Sequence, residues 1–330
     1  MTWLLVGGAG YIGGHVTHRL REENRDVVVL DDLSTGVATR VPGDVPLIVA
    51  SAANRRVVAN ALREHEITGV IFLAGRKSAP DSVAHPLGYY RANVEPLRVL
   101  LEEMGKVGVT SILLSSSAAV YGIPDGTLVT EDSLTRPINP YGETKLVCEW
   151  LLRAVGTACG LNWISLRYFN VVGAAHPALA DRAGTSLLPM VFQEAMAGRP
   201  VMVTGSDYPT RDGTGVRDYV HVADVADAHA AAVRHLEQEP CAEVFNVGTG
   251  RGHSVLDVLD EVRLVTGMPI DTTIAGRRPS DPAEVVASVD KIDRRLGWRA
   301  RHDLADMVRS TWQAYADQVP VDRMGWSGLS

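Results

Sequence analysis

The 330-residue chain is short of several things, and each shortage excludes a class of protein. It has three cysteines, Cys148, Cys159 and Cys241, an odd number at wide spacing. That pattern makes neither a disulfide framework nor paired zinc ligands, and it reads as buried thiols in a reducing cytoplasm. No run approaches 18 apolar residues, so no membrane span is expected. The apolar start, Met1 to Val6, carries no basic leader and meets glycines at once, unlike a signal peptide. Positive charge is not in excess: 32 Lys and Arg face 39 Asp and Glu, a net charge of −7. Nucleic acid and anionic membranes therefore lose their electrostatic footprint, and any anionic ligand must be met by a few placed cations. Repeats and low-complexity tracts are absent. What remains, 46% apolar and 22% charged, is ordinary globular composition with room for two domains or one large α/β unit.

Along the first half, short apolar runs at 3–6, 27–30, 46–49, 70–73 and 112–114 alternate with amphipathic stretches at 12–23, 55–66 and 87–104. A helix over about 141–158 and a sixth strand at 163–166 continue the rhythm. Strand, helix and strand repeated in this way predict right-handed crossovers and a doubly wound parallel sheet. From about Gly173, proline and glycine break the rhythm. Strands are expected at 201–204 and 244–247 and helices at 222–236, 254–266 and 304–315, as a smaller α/β lobe.

The first apolar run ends in Gly7-Gly8-Ala9-Gly10-Tyr11-Ile12-Gly13-Gly14. Missing Cβ atoms allow a tight turn and let backbone N–H groups approach a pyrophosphate, at which the following helix aims its positive end. Asp31 lies 18 residues beyond Gly13, at the end of the second run, placed to accept the ribose hydroxyls. Asp31 and Asp32 together would repel a 2′-phosphate, and no Arg or Lys follows before Arg40. The expected cofactor is NAD rather than NADP.

Tyr141 and Lys145 are spaced i, i+4 on one helix face after Asn139-Pro140. A phenol with pKa ~10 needs about 4 kcal/mol of phenolate stabilisation to act as a base near neutrality. An adjacent ammonium and a positive nicotinamide ring are expected to provide it. The fifth apolar run ends in Ser115-Ser116-Ser117, with a hydroxyl where doubly wound sheets bind ligands.

With these residues in view, the chain resembles the extended short-chain dehydrogenase/reductases, and within them the UDP-glucose 4-epimerase (UDP-galactose 4-epimerase) family. The matching segments are Gly7–Gly14, Leu73-Ala74-Gly75-Arg76-Lys77, Pro86 to Tyr90 with Asn93, Ser115–Gly122, Pro140–Lys145, Leu166 to Asn170 and, most specific, Asp207–Tyr219. The resemblance covers nearly the whole chain. It implies a Rossmann NAD-binding domain over 1–172 and a UDP-sugar lobe over 173–330, with some elements of the second half returning to the first. It implies that Tyr141 takes the C4 hydroxyl proton, that Ser117 orients the hydroxyl, and that Lys145 holds the nicotinamide ribose and depresses the Tyr141 pKa. Gly7, Gly10, Tyr11, Ile12, Gly13, Asp31, Asp32, Leu73, Ala74, Lys77, Asn93 and Tyr168 are the further implied NAD contacts. Asn170, Ser186, Leu187, Val203, Arg217, Arg278, Asp281 and Val285 are the implied substrate contacts, with Asn170, Arg217 and Arg278 on the diphosphate and Asp281 on the uridine ribose. The reaction would pass through a transient 4-keto sugar, redox-neutral overall, with NAD retained.

The sequence also departs from the family. Ser51 stands where an Asp commonly reads adenine, Ser186 where an Asn grips diphosphate, Thr204 where an aromatic faces uracil, and Arg76 where an apolar residue is usual. Val285 replaces the Tyr of members restricted to unsubstituted hexoses, which leaves room for an N-acetyl group. A UDP-uronic acid substrate, and a nucleotide-sugar dehydrogenase or reductase, remain alternatives. A 4,6-dehydratase is disfavoured because Ala118 and Ala119 stand where it needs an acid and a base. His221 and His229 read as packing or surface residues rather than metal ligands, and Trp298 as core packing of the C-terminal lobe. Two stretches, Leu97-Leu100-Leu101-Met104 and Leu146-Trp150-Leu151, are candidates for a homodimer seam.

Overall fold

Uninterrupted runs of Val, Leu and Ile must be covered on both sides, which in a sheet means helices on both faces. The computed structural model describes residues 1–181, 186–277 and 281–316. Its first half runs β1 (Thr2–Val6), α1 (Tyr11–Glu22), β2 (Asp26–Asp31), β3 (Leu47–Val49), α2 (Arg55–Glu64), β4 (Ile67–Phe72), α3 (Ala79–Ala84), α4 (Pro86–Asn93), α5 (Glu95–Val107), β5 (Ser111–Ser117), β6 (Leu128–Val129), α6 (Pro140–Cys159) and β7 (Asn162–Tyr168). The second half runs β8 (Asn170–Val172), α7 (Leu187–Met196), β9 (Val201–Thr204), β10 (Val216–His221), α8 (Val222–Gln238), β11 (Ala242–Val247), β12 (Gly252–Ser254), α9 (Val255–Thr266), β13 (Thr272–Ala275), β14 (Glu284–Ala287), α10 (Asp290–Leu296) and α11 (Leu304–Ala316).

Seven parallel strands form the large sheet in the order β11-β7-β5-β4-β1-β2-β3. The order reverses direction beside β1, which opens a crevice at the carboxyl ends of β1 and β4. Alternation along each strand divides the core: Trp3 and Leu5 face one apolar layer, Leu4 and Val6 the other. α1 packs beside α8 on the first layer, and α2 beside α5 on the second. β11 and α8 come from the second half of the chain yet complete this large sheet and its cover. The remaining strands build a sheet in the order β12-β10-β14-β6, with β8 paired to β10, and a small β13-β9 pair.

Several expectations change. The single helix over 87–104 is two helices, α4 and α5, broken at Val94, because Pro96 lacks an N–H to continue the first ladder. β4 stops at Phe72, one residue short of the expected strand. Trp298 packs into the core of the large sheet, donating Nε1–H to the Asp224 carbonyl, rather than into the C-terminal lobe. Leu97, Leu100, Leu101 and Met104 lie buried in the second layer, so they cover the sheet and form no seam; of the second stretch only Trp150 is exposed. Cys148 and Cys241 are buried, whereas Cys159, at the end of α6, is exposed. His221 and His229 are both interior, so neither is a surface residue. Among the described residues no helix is long and apolar enough to cross a membrane.

Candidate active site

The loop after β1 is held by contacts that admit no side chain. Gly7 has φ +88°, and a Cβ there would meet the Ala74 nitrogen at 2.7 Å. A Cβ on Gly13 would lie 2.1 Å from the Gly7 carbonyl oxygen. Leu73 and Ala74 both donate their N–H to the Val6 carbonyl, fixing the other wall. Gly10 starts α1 in extended geometry and no side chain caps that terminus, so the N–H groups of the first turn, Tyr11 to Gly13, remain for a ligand. Asp31 closes β2, 8% exposed, and accepts N–H groups from Ala9 (2.9 Å) and Leu33 (2.9 Å), leaving lone pairs for hydroxyls. Asp32 is exposed and accepts the Ser34 N–H. A bare-backbone cradle, an uncapped helix end and a carboxylate at the next strand end fit a dinucleotide.

Beyond the cradle, the implied NAD contacts are held by protein partners. Asn93 is buried at the break after α4: it accepts the Arg76 N–H (2.7 Å) and donates to the Arg76 carbonyl (3.1 Å) and Thr144 Oγ1 (2.9 Å). It thus fastens the loop after β4 to α6. Lys77 pairs with Asp181 (3.2 Å), which also accepts from Ser186 Oγ (3.1 Å). Tyr11 donates its hydroxyl to the Gly173 carbonyl (2.6 Å). Tyr168 directs its hydroxyl to His229 Nε2 (2.6 Å), away from solvent.

Ser117 and Tyr141 meet because of one glycine. Asn139 caps α6, accepting the Gly142 N–H at 2.9 Å. A Cβ on Gly142 would stand 2.5 Å from the Ala119 carbonyl oxygen, so only glycine lets α6 approach the turn after β5. Ser117 accepts the Ala119 N–H (3.2 Å), and its hydroxyl is near enough to the Tyr141 phenol to favour the phenolate. Lys145, one turn further on, is buried and donates Nζ–H to the Ser115 carbonyl (2.8 Å). Beneath them Glu149 pairs with Arg167 (2.6 Å) and accepts from Ser116 (2.6 Å) and Ser165 (3.2 Å). That buried network locks β5, β7 and α6 together.

The electrostatics differ from expectation. Burial holds the Tyr141 phenol above its ordinary value, the nearby Ser117 hydroxyl draws it back and Tyr89 adds to the rise. Burial lowers the Lys145 ammonium, against Cys148 and Glu149, which raise it. The expected depression of Tyr141 by Lys145 is thus not a property of the protein alone. The amine is committed to a carbonyl and is itself disfavoured as a cation, so the phenol stays protonated until further positive charge arrives.

On the second sheet, Arg217 Nη2 pairs with Asp281 (2.6 Å) and Nη1 donates to the Val216 carbonyl (2.8 Å). Asp281 also accepts the Tyr208 hydroxyl at 3.4 Å. Val285 lies on β14 directly opposite Arg217 on β10. It belongs to the apolar cluster of Val120, Tyr121 and Leu146, which are near Ser117 and Tyr141 in sequence. Asn170 is exposed at the start of β8, two residues past the Tyr168 that pairs with Ser117. Leu187 opens α7, half-buried, while Val203 is fully buried in the lobe core and presents no side chain to a ligand. Arg278 lies outside the described residues.

Sequence reasoning passed over Asp218. It is fully buried and accepts from the Thr249 N–H (2.8 Å), Thr249 Oγ1 (2.7 Å), Gly250 N–H (2.9 Å) and Ala287 N–H (3.1 Å). It fixes β10 to β14 and so sets Arg217 beside Val285. The acid directly before the apolar pair Tyr219-Val220, in the strand Val216-Arg217-Asp218-Tyr219-Val220, was the available signal.

Residues 3–248 match the family model for the NAD dependent epimerase/dehydratase family. The chain belongs to that family. It is 41% identical over 322 residues to the UDP-glucose 4-epimerase of Azospirillum brasilense, covering 96% of this chain and 92% of that protein. Among solved structures it is similar to the UDP-glucose 4-epimerase from Stenotrophomonas maltophila with bound NAD and formylated UDP-arabinopyranose. There the TM-score is 0.92 and the identity 40%, over 96% of this chain and 98% of that one. The enzyme from Bifidobacterium longum in complex with NAD+ and UDP gives a TM-score of 0.90 at 36% identity, over 96% and 98% of the two chains. The fold is that of an extended short-chain dehydrogenase/reductase.

Proposed function

We propose that this protein is an NAD-dependent 4-epimerase of UDP-hexoses, working through a 4-keto sugar. The observation that carries the reading is the docking of α6, with Tyr141 and Lys145, on the carboxyl end of β5, where Ser117 lies, Gly142 against Ala119 and Lys145 bonded to Ser115, beside a glycine cradle that excludes side chains. Gly7, Gly10, Tyr11, Ile12, Gly13, Asp31, Asp32, Leu73 and Ala74 would hold the NAD; Lys77, Asn93 and Tyr168 would act largely by shaping its surroundings. Bound NAD supplies a reversible hydride acceptor and a positive charge.

The residues of the chain supply the rest. Tyr141 is held protonated by burial, so ionisation follows the arrival of positive charge and reverses when that charge is lost. One phenol therefore removes the C4 hydroxyl proton and later returns it. Ser117 orients the hydroxyl and carries the proton the short distance to Tyr141. Lys145, anchored at Ser115, supports the cofactor ribose. Arg217 exchanges its Asp281 partner for the substrate diphosphate, freeing the Asp281 carboxylate for the uridine ribose. Asn170, Ser186, Leu187 and Arg278 complete the substrate side, and Val285 leaves room for an N-acetyl group. The division of labour is a cofactor-binding first half, 1–172, and a substrate lobe from 173 onward that lends β11 and α8 back to the first sheet. We read the protein as cytoplasmic and homodimeric, the exposed Val83, Leu87 and Trp150 on adjacent helices α3, α4 and α6 being the candidate contact.

The test is to incubate purified protein with UDP-glucose and with UDP-N-acetylglucosamine, without added nucleotide, and to resolve the C4 epimers. Interconversion with no net NADH is expected; NADH formed in step with turnover would make the protein a dehydrogenase.

A further inference from the structure

We propose that His235, Cys241 and Glu243 form a cation site, suited to Zn2+, where α8 hands over to β11 at the outer edge of the large sheet. An imidazole nitrogen, the Cys241 Sγ and a Glu243 carboxylate oxygen lie within 4.8 Å of one another. Among the described residues His235 Nε2 is the one buried side-chain nitrogen or oxygen with no hydrogen-bond partner, and His235 is only 8% exposed. An orphaned buried nitrogen is costly and calls for an explanation. Its other nitrogen, Nδ1, stands 3.3 Å from Glu239 Oε1. A carboxylate on one ring nitrogen that leaves the other free is how metal-binding histidines are oriented.

The short connection between α8 and β11 brings the set together. His235 lies in the last turn of α8, Glu239 is the extended C-cap that turns back on its ring, and Cys241 stands immediately before β11, two residues from Glu243. Widely scattered cysteines and histidines gave no such pattern in sequence, because His-x5-Cys-x-Glu is not a recurrent ligand spacing. Sulfur, imidazole and carboxylate together suit zinc. Tetrahedral zinc with bonds of about 2.0–2.3 Å holds its ligands about 3.5 Å apart, so the group must close by roughly 1 Å, within reach of side-chain rotation.

Glu243 pairs with Lys291 (3.2 Å) and Arg295 (2.7 Å). Both heads are partly exposed and can turn to solvent when zinc takes the carboxylate. The two side chains therefore compete with the ion, and removing either should strengthen binding. The site lies at the start of β11, at the opposite end of the sheet from the catalytic pair, so its effect would be to clip an edge strand to its helix rather than to alter turnover.

The experiment uses the full chain, chelator-treated and titrated with Co2+ and then Zn2+. One equivalent of Co2+ should give a thiolate charge-transfer band that Zn2+ erases. Cys241→Ser should abolish the band, and His235→Gln should weaken cobalt binding at least tenfold. Glu239→Gln should weaken it about tenfold, whereas Arg295→Met should tighten it, a gain that misfolding cannot mimic. Zinc should raise the unfolding temperature of the wild type and leave that of Cys241→Ser unchanged. The proposal is overturned if no band forms at millimolar cobalt, if Cys241→Ser keeps it, or if it is lost instead in Cys159→Ser, which removes the one exposed thiol.

Discussion

Replacing Gly13 by alanine adds one methyl group, and the structure says where it goes. The new Cβ would stand 2.1 Å from the Gly7 carbonyl oxygen and 2.8 Å from the Gly8 Cα. Ordinary contact begins near 3.4 Å, so the two backbone segments must part by about 1.3 Å. Neither neighbour is a flexible side-chain end. Gly7 is tied to Leu30 through its N–H (2.8 Å) and lies against Ala74, while Gly13 accepts the Thr17 hydroxyl (2.8 Å). The strain falls on the cradle, at a cost of about 1–3 kcal/mol of stability. A charge-assisted hydrogen bond contributes about 1.5–3 kcal/mol, so displacing one N–H from the pyrophosphate should weaken NAD binding about 10- to 100-fold. The assay is the nucleotide retained per chain after gel filtration, with NAD titration of the stripped protein. Gly43→Ala is the control, since nothing lies within 4 Å of its Cβ. If Gly13→Ala holds NAD as tightly as Gly43→Ala, the cradle is not where the dinucleotide binds.

Other outcomes follow from the same geometry. Arg217→Ala should raise the KM for UDP-sugars about 10- to 100-fold while leaving retained NAD unchanged; loss of both together would mean a general folding defect. Val285→Tyr should cut turnover of UDP-N-acetylglucosamine at least tenfold more than that of UDP-glucose, and equal loss on both removes Val285 as a gate. Burial pushes His229 down to about 4, below the ~6.5 of an unfolded chain. Its contribution to stability is therefore complete above pH ~6.5 and is lost as pH falls through the folded value near 4, by up to about 3 kcal/mol. Chemical denaturation at a series of pH values should show a shallower acid loss in His229→Gln than in wild type; parallel curves would refute it.

Much of this was legible from the sequence because the chemistry rides on local patterns. Gly7–Gly13 and Asp31 are one strand–turn–helix unit, and Tyr141 and Lys145 are one helix turn apart. Ser117 could be placed because a parallel strand delivers its last residue to the ligand side. Illegible were the contacts made across sheets. Nothing local says that Arg217 pairs with Asp281, 64 residues away, or that Asp218 staples β10 to the 249–250 turn. The apolar face of α5 looks the same whether it covers a sheet or a second subunit, so its spacing alone could not tell sheet cover, which it is, from a dimer seam. Val203 matched a ligand position in the family pattern, yet strand alternation turns it into the core. The Tyr141 electrostatics needed burial and the Lys145–Ser115 bond, neither visible in spacing.

The central claim is that the Tyr141 phenol moves the C4 proton, and Tyr141→Phe tests it by deleting that oxygen alone. Single-turnover interconversion of UDP-galactose should fall about 10²–10⁴-fold, the range of a lost general acid–base group, with NAD and UDP still bound within about twofold. Interconversion at near wild-type rate in Tyr141→Phe, with both ligands bound, would contradict the account.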